Sequence, residues 1–110
     1  MLVSKDKDPL EIGNVVCIRL VSGDEVIGEI LDADESKIGV RKPCALTANN
    51  GHLGLAPATL MSDMEKTVFY YRASIMAVST PREDAANSYR EFATGIALAR
   101  PGSVAVPKQK

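Results

Sequence analysis

Residues 13–40, GNVVCIRLVSGDEVIGEILDADESKIGV, constrain the fold of this chain more than any other stretch. In residues 15–21, Val16, Ile18 and Leu20 alternate with Cys17 and Arg19, the period of a half-buried strand. Ser22-Gly23-Asp24 carries turn chemistry. Residues 25–32 read as a second strand, with Val26 and Ile30 on one face and Gly28 between them. Asp34-Glu35-Ser36 is a second turn, and Ile38 and Val40 open a third strand. The pattern predicts an antiparallel meander of three short strands joined by tight turns. A glycine in mid-strand has no side chain to oppose curvature, so the sheet is expected to bend at Gly28, strongly enough to close into a small barrel.

Beyond this meander the strand signals are broken by proline. Arg41-Lys42-Pro43 ends or kinks the third strand, with residues 44–48 a candidate continuation at an edge. Asn49-Asn50-Gly51 is a strong turn signal. Residues 52–61 are apolar but carry Pro57 and two glycines, which makes them a poor central strand and suits an extended loop or edge segment over the barrel. Residues 62–66 form a polar turn. Residues 67–71 and 74–78 read as two further short strands separated by Arg72-Ala73.

At Thr80 the period changes. Thr80-Pro81-Arg82-Glu83 fits a capping box with proline at the first helical position. Ala85, Tyr89, Phe92 and Ile96 follow at helical spacing, backed by Ala93 and Ala97. Arg100-Pro101-Gly102 is a stop, and Gly95 weakens the last turns by roughly 1 kcal/mol relative to alanine. The expected helix covers residues 81–100, and a flexible tail follows at 101–110. Its apolar stripe is expected to cap an open end of its own barrel or to pack against a neighbouring subunit.

At 110 residues the chain is expected to form one domain. The net charge of −1 excludes bulk electrostatic binding to duplex nucleic acid but leaves room for a local basic patch created by assembly. Cys17 and Cys44 form no CxxC pair, and each sits in or beside an apolar strand, as buried thiols do in a reducing compartment. Residues 1–10 are charged, unlike a signal peptide, and no apolar run approaches the roughly 20 residues that span a bilayer. A cytoplasmic protein without membrane contact is the expectation.

Catalytic chemistry has little to stand on. His52, the one histidine, falls on an expected loop tip and has no partner set, so no enzymatic activity is expected. Two distant cysteines and one histidine do not make a metal site, and Gly51 and Gly54 precede no helix that would form a phosphate loop. No cofactor is expected. Asp24, Glu25, Asp32, Asp34 and Glu35 crowd turns and strand ends, as solvated turn carboxylates do. The cationic and aromatic candidates for nucleic-acid contact are Lys37, Arg41, Lys42, Lys66 and Arg72, with Tyr70 and Tyr71.

The strand spacing resembles the Sm/LSm family of small, strongly bent five-stranded barrels. Residues 13–40 are similar to the family's first motif, with a glycine entering strand 1, a turn glycine (Gly23), a mid-strand glycine (Gly28), an apolar residue and an acidic turn. Residues 68–78 are similar to the second motif, with Arg72 at its arginine. The resemblance covers residues 13–80, after an N-terminal segment of residues 1–12, and contains an insert at 47–66. It is closest to the divergent Sm-like proteins of tailed phages and marine viral sequences, which carry the helix after the barrel. Two positions depart from the family: its Asp-x-x-Met-Asn reads Asp34-Glu35-Ser36-Lys37 here, and its Arg-Gly reads Arg72-Ala73.

The resemblance implies a homo-oligomeric ring of about five to seven subunits, joined through strand edges around Val68, Phe69, Tyr70, Ile75 and Val78. It implies single-stranded RNA or DNA as partner, held near the ring axis by Ser36, Lys37, Tyr71 and Arg72, in the cytoplasm of a bacterial host if the protein is phage-encoded. Two alternatives stand beside it. Lys37 and Arg72 instead pair with Asp34, Glu35 or Asp63, or the protein is a structural or scaffolding oligomer that acts through protein–protein contacts, as in a phage assembly.

Overall fold

The computed structural model describes residues 8–49, 52–59 and 61–95. It contains an antiparallel sheet of six strands and one C-terminal helix. The strands are β1 (Val15–Leu20), β2 (Glu25–Ala33), β3 (Lys37–Asn49), β4 (His52–Pro57), β5 (Val68–Tyr71) and β6 (Ile75–Ser79). A 3-10 turn, Arg72–Ser74, joins β5 to β6, and the helix α1 is Glu83–Thr94.

The meander forms as its alternation predicts. β1 pairs with β2, and β2 with β3. The first turn closes through Gly23 N–H to the Leu20 carbonyl at 2.9 Å. Val16, Ile18, Val26, Ile30, Ile38 and Val40 make one buried core. The β2–β3 register shifts between Ile27 and Glu29, at Gly28. A Cβ on Gly28 would run into Val40 Cγ1 and come within 3.4 Å of the Arg41 carbonyl oxygen and Pro43 Cα, so the close approach of the two strands requires glycine here.

Of the two expectations at Arg41-Lys42-Pro43, an end or a kink, the kink holds: Lys42 has a φ of 46°, and β3 continues through residues 44–48 to Asn49. Its first half pairs with β5 and its second with β4, both antiparallel. The expected count of five strands becomes six, because residues 52–57 pair fully as an edge strand. Pro57 is accommodated as the last residue of that strand. Of the expected Asn49-Asn50-Gly51 turn, Asn50 and Gly51 lie outside the described residues.

β6 pairs with β1 at one end of the sheet and β5 with β3 near the other. Tyr70 of β5 and Ile75 and Val78 of β6 nevertheless pack on the same core. The sheet is therefore bent far enough for both ends to share one interior. Among the described residues β5 and β6 are not hydrogen-bonded to each other, so the sheet is not closed by backbone pairing.

The helix departs from expectation in three ways. It begins at Glu83, with Arg82 as N-cap and no side-chain cap, so the Thr80–Glu83 capping box does not form. It ends at Gly95, whose φ of 70° is the left-handed conformation that glycine adopts without strain. Gly95 is thus the stop instead of a weak point within the helix. Ile96, Ala97 and Arg100, assigned to the helix from spacing, lie outside the described residues, as do 1–7 and the tail.

Third, the buried face is Ala85, Ala86, Tyr89 and Ala93, while Phe92 is 36% exposed. Those small residues let the helix lie close against the second face of the chain's own sheet, over Cys17, Ile27 and Cys44. The central strands are thus buried on both sides, and the described part of the α1 stripe covers a face of the chain's own sheet, not an open end of a barrel. No helix among the described residues is long and apolar enough to cross a membrane.

Candidate nucleic-acid interface

Two turns meet at one end of the sheet. The β2–β3 turn is held by Asp34, whose Oδ1 accepts from Ser36 N–H at 2.7 Å, Lys37 N–H at 2.9 Å and the Ser36 hydroxyl at 3.0 Å. These donors, the Lys37 and Ser36 amides foremost, hold the Asp34 carboxyl down at about 2. The second turn is Arg72–Ser74. Arg72 N–H donates to the Ser36 carbonyl at 2.9 Å, and Lys37 is the register partner of Tyr71. Ser36, Lys37, Tyr71 and Arg72 are therefore neighbours, although 34 positions separate Lys37 from Tyr71 in the chain.

Their charges differ in availability. Lys37 Nζ lies 3.6 Å from Asp34 Oδ2, a half-exposed pair that solvent weakens. The same ammonium sits 5.5 Å from the centroid of the Phe69 ring. The Arg72 guanidinium makes no ion pair among the described residues. Pairing with a turn carboxylate, the plain alternative for both cations, is thus seen for Lys37 and not for Arg72. Tyr71 is 60% exposed.

Two of the other basic candidates, Arg41 and Lys42, are engaged elsewhere. Arg41 and Lys42 flank the bend in β3, and both donate to the Ala93 carbonyl in the last turn of α1, at 3.1 and 3.0 Å. Arg41 also pairs with Glu29 at 3.3 Å and Lys42 with Glu65 at 3.8 Å. They act as cations on a helix C-terminus. Two shallow grooves of about 240 and 260 Å³ lie along α1, both lined by Gly13, Val15 and Arg90 and the second also by Arg41, away from the paired turns. Lys66 is on the exposed turn before β5 and is held through its backbone to Asp63. Tyr70 faces the core, and burial pushes its hydroxyl above the ordinary tyrosine range.

Of the residues expected at a subunit interface, Val68, Tyr70, Ile75 and Val78 are half-buried within the chain itself, while Phe69 points to the outer face at 42% exposure. The unpaired feature at that location is backbone. β5 has one partner strand and so has β6, leaving each with a free edge among the described residues. No cluster of three or more metal-ligating side chains occurs among the described residues. No protein-family model and no curated protein matches the chain.

Sequence reasoning missed Phe69 as a partner of Lys37. The alternation of residues 68–71 puts Phe69 and Tyr71 on one face and Val68 and Tyr70 on the other, but the partnership with Lys37 comes from the β3–β5 register.

Proposed function

We propose that this chain is a non-catalytic, Sm-like small barrel that assembles into a ring and binds single-stranded nucleic acid, RNA or DNA, at Ser36, Lys37, Tyr71 and Arg72. The observation that carries this reading is the hydrogen bond from Arg72 N–H to the Ser36 carbonyl. It sets a guanidinium that makes no ion pair among the described residues, and an exposed tyrosine, beside the Lys37 turn. One such cluster is a small charge on a protein of net charge −1. Repeated by rotational symmetry about an axis it becomes a concentrated positive field able to meet the phosphates of a strand.

The strand order β6-β1-β2-β3-β5 supports the Sm-like reading, with β4 as an addition on the far half of β3. Free edges on β5 and β6 supply what a ring needs, because head-to-tail pairing of one edge with the other satisfies exposed backbone groups. Those edges equally favour a second reading, a scaffolding oligomer without nucleic acid, such as one in a phage assembly. The Lys37–Asp34 pair, which offsets part of the local charge, also leans that way.

Fluorescence anisotropy with labelled single-stranded RNA, single-stranded DNA and duplex separates the two. The nucleic-acid reading expects binding to single strands at low salt, weakening with salt at a slope of about −0.7 per phosphate contacted, and little binding to duplex. Arg72→Ala and Lys37→Ala should each weaken it without changing the oligomer. If neither single strand binds the wild type, scaffolding takes over.

A further inference from the structure

We propose that Phe69 and Tyr71 form a stacking platform for two bases of an extended single strand on the outer face of β5, with Lys37 as the cation beside it. This rests on the nucleic-acid reading above and carries the site from the two turns onto the sheet surface.

Phe69 and Tyr71 are two residues apart on one strand, so both rings leave the same face, about 6.6 Å apart along the chain. They are 42% and 60% exposed, while the intervening Tyr70 turns into the core. Opposite them on β3 are Gly39, partner of Phe69, and Lys37, partner of Tyr71. A Cβ at Gly39 would come 3.1 Å from Phe69 Cε1, so the glycine leaves room for the ring beside β3.

The Lys37 ammonium lies over the Phe69 ring, 5.5 Å from its centroid. Aromatic faces that attract cations also stack nucleobases, and stacking is tolerant of base identity because every base has a π-face. A base arriving on Phe69 displaces the ammonium, which then has a strand phosphate to pair with. Asp32 lies on the other side of Gly39. Its carboxylate repels phosphate, and the Asp34 carboxylate 3.6 Å from Lys37 Nζ offsets part of that cation, so the phosphates are met chiefly by Arg72 and the bases lie over the rings.

The test uses anisotropy with labelled single-stranded oligonucleotides of about 15 nucleotides, comparing wild type with Phe69→Leu, Tyr71→Leu and Arg72→Ala. Leucine keeps apolar bulk in the strand and removes the π-face. Each leucine variant should bind about five- to 150-fold more weakly, with the salt slope unchanged, whereas Arg72→Ala should flatten the slope. Photocrosslinking of wild type to a 4-thiouridine oligonucleotide should label the peptide carrying Phe69 and Tyr71, which keeps the proposal testable if a variant misfolds. If the leucine variants bind as wild type while Arg72→Ala does not, the platform is wrong and the turn site stands. Crosslinks confined to other peptides also overturn it. If the leucine variants lose oligomer mass, the face is a contact between copies and not a platform. If wild type binds no single strand, the platform falls together with the reading on which it rests.

Discussion

The Tyr89 hydroxyl donates to the Arg41 carbonyl, a residue 48 positions away in sequence, and completes the β2–β3 ladder from outside the sheet. Glu29 and Arg41 are register partners at the Gly28 bulge, and the same hydroxyl accepts from Glu29 N–H at 3.2 Å. The bulge opens the ladder, and the phenol fills the gap. Sheet curvature and helix docking are therefore one structural event, anchored by a side chain that is 1% exposed.

Tyr89→Phe removes this bridge and leaves a backbone N–H and a carbonyl unpaired beneath the helix. The expected cost is about 1–3 kcal/mol. Tyr89→Ala adds the loss of a buried ring and should cost about 3–5 kcal/mol. Urea unfolding of the two variants against wild type measures both, with the larger effect expected for alanine.

Gly28→Ala should be destabilising by about 1–3 kcal/mol, because the added methyl meets Val40 in a filled core. At the exposed turn glycine Gly23 the same substitution meets no neighbour and is strained instead by its φ of 97°. A midpoint shift in denaturant with unchanged slope is the expected result for Gly28→Ala.

Alkaline conditions should unfold the protein. Burial pushes Tyr89 from 10.0 up to about 12, with the Glu29 amide opposing the rise, and pushes Cys44 from 9.0 up to about 11. Cys17 moves up as well, first by burial and then by the Glu25 carboxylate. Each group is neutral when protonated and is held so by the fold. Its contribution is therefore complete below its unfolded value and is lost as pH rises through its folded one. Stability should fall between about pH 9 and 12. The Asp34 turn behaves oppositely: its contribution is present above 3.8 and is lost as pH falls toward 2. Thermal melts across both ranges check the signs.

Arg41 and Lys42 hold the last turn of α1, so they should matter for stability and not for nucleic acid. Lys42→Met should cost roughly 0.5–1.5 kcal/mol and leave oligonucleotide affinity unchanged. A parallel loss of binding would return these cations to the interface.

The meander was legible because Val16 and Ile18, Val26 and Ile30, and Ile38 and Val40 fall at even spacing, with Gly28 in place of an apolar residue marking the bend. The neighbouring turns were legible too, since Asp34 and Ser36 have side chains that hydrogen-bond locally. The path of β3 was harder to read. Pro43 and Pro57 argue against strands on local grounds, yet tertiary pairing with β4 prevails. The helix face was read correctly at Ala85, Tyr89 and Ala93, which pack on the sheet, and wrongly at Phe92, which lies at the margin of that face and is 36% exposed. The Phe69–Lys37 contact depends on β3–β5 register, which no local pattern encodes.

Native mass measurement of the protein, alone and with a single-stranded oligonucleotide, tests the central claim most directly. The account predicts a closed oligomer of about five to seven subunits whose mass rises by that of bound strand, with the increment lost in Arg72→Ala while the oligomer persists. A monomer that takes up no strand would contradict both the ring and the binding site.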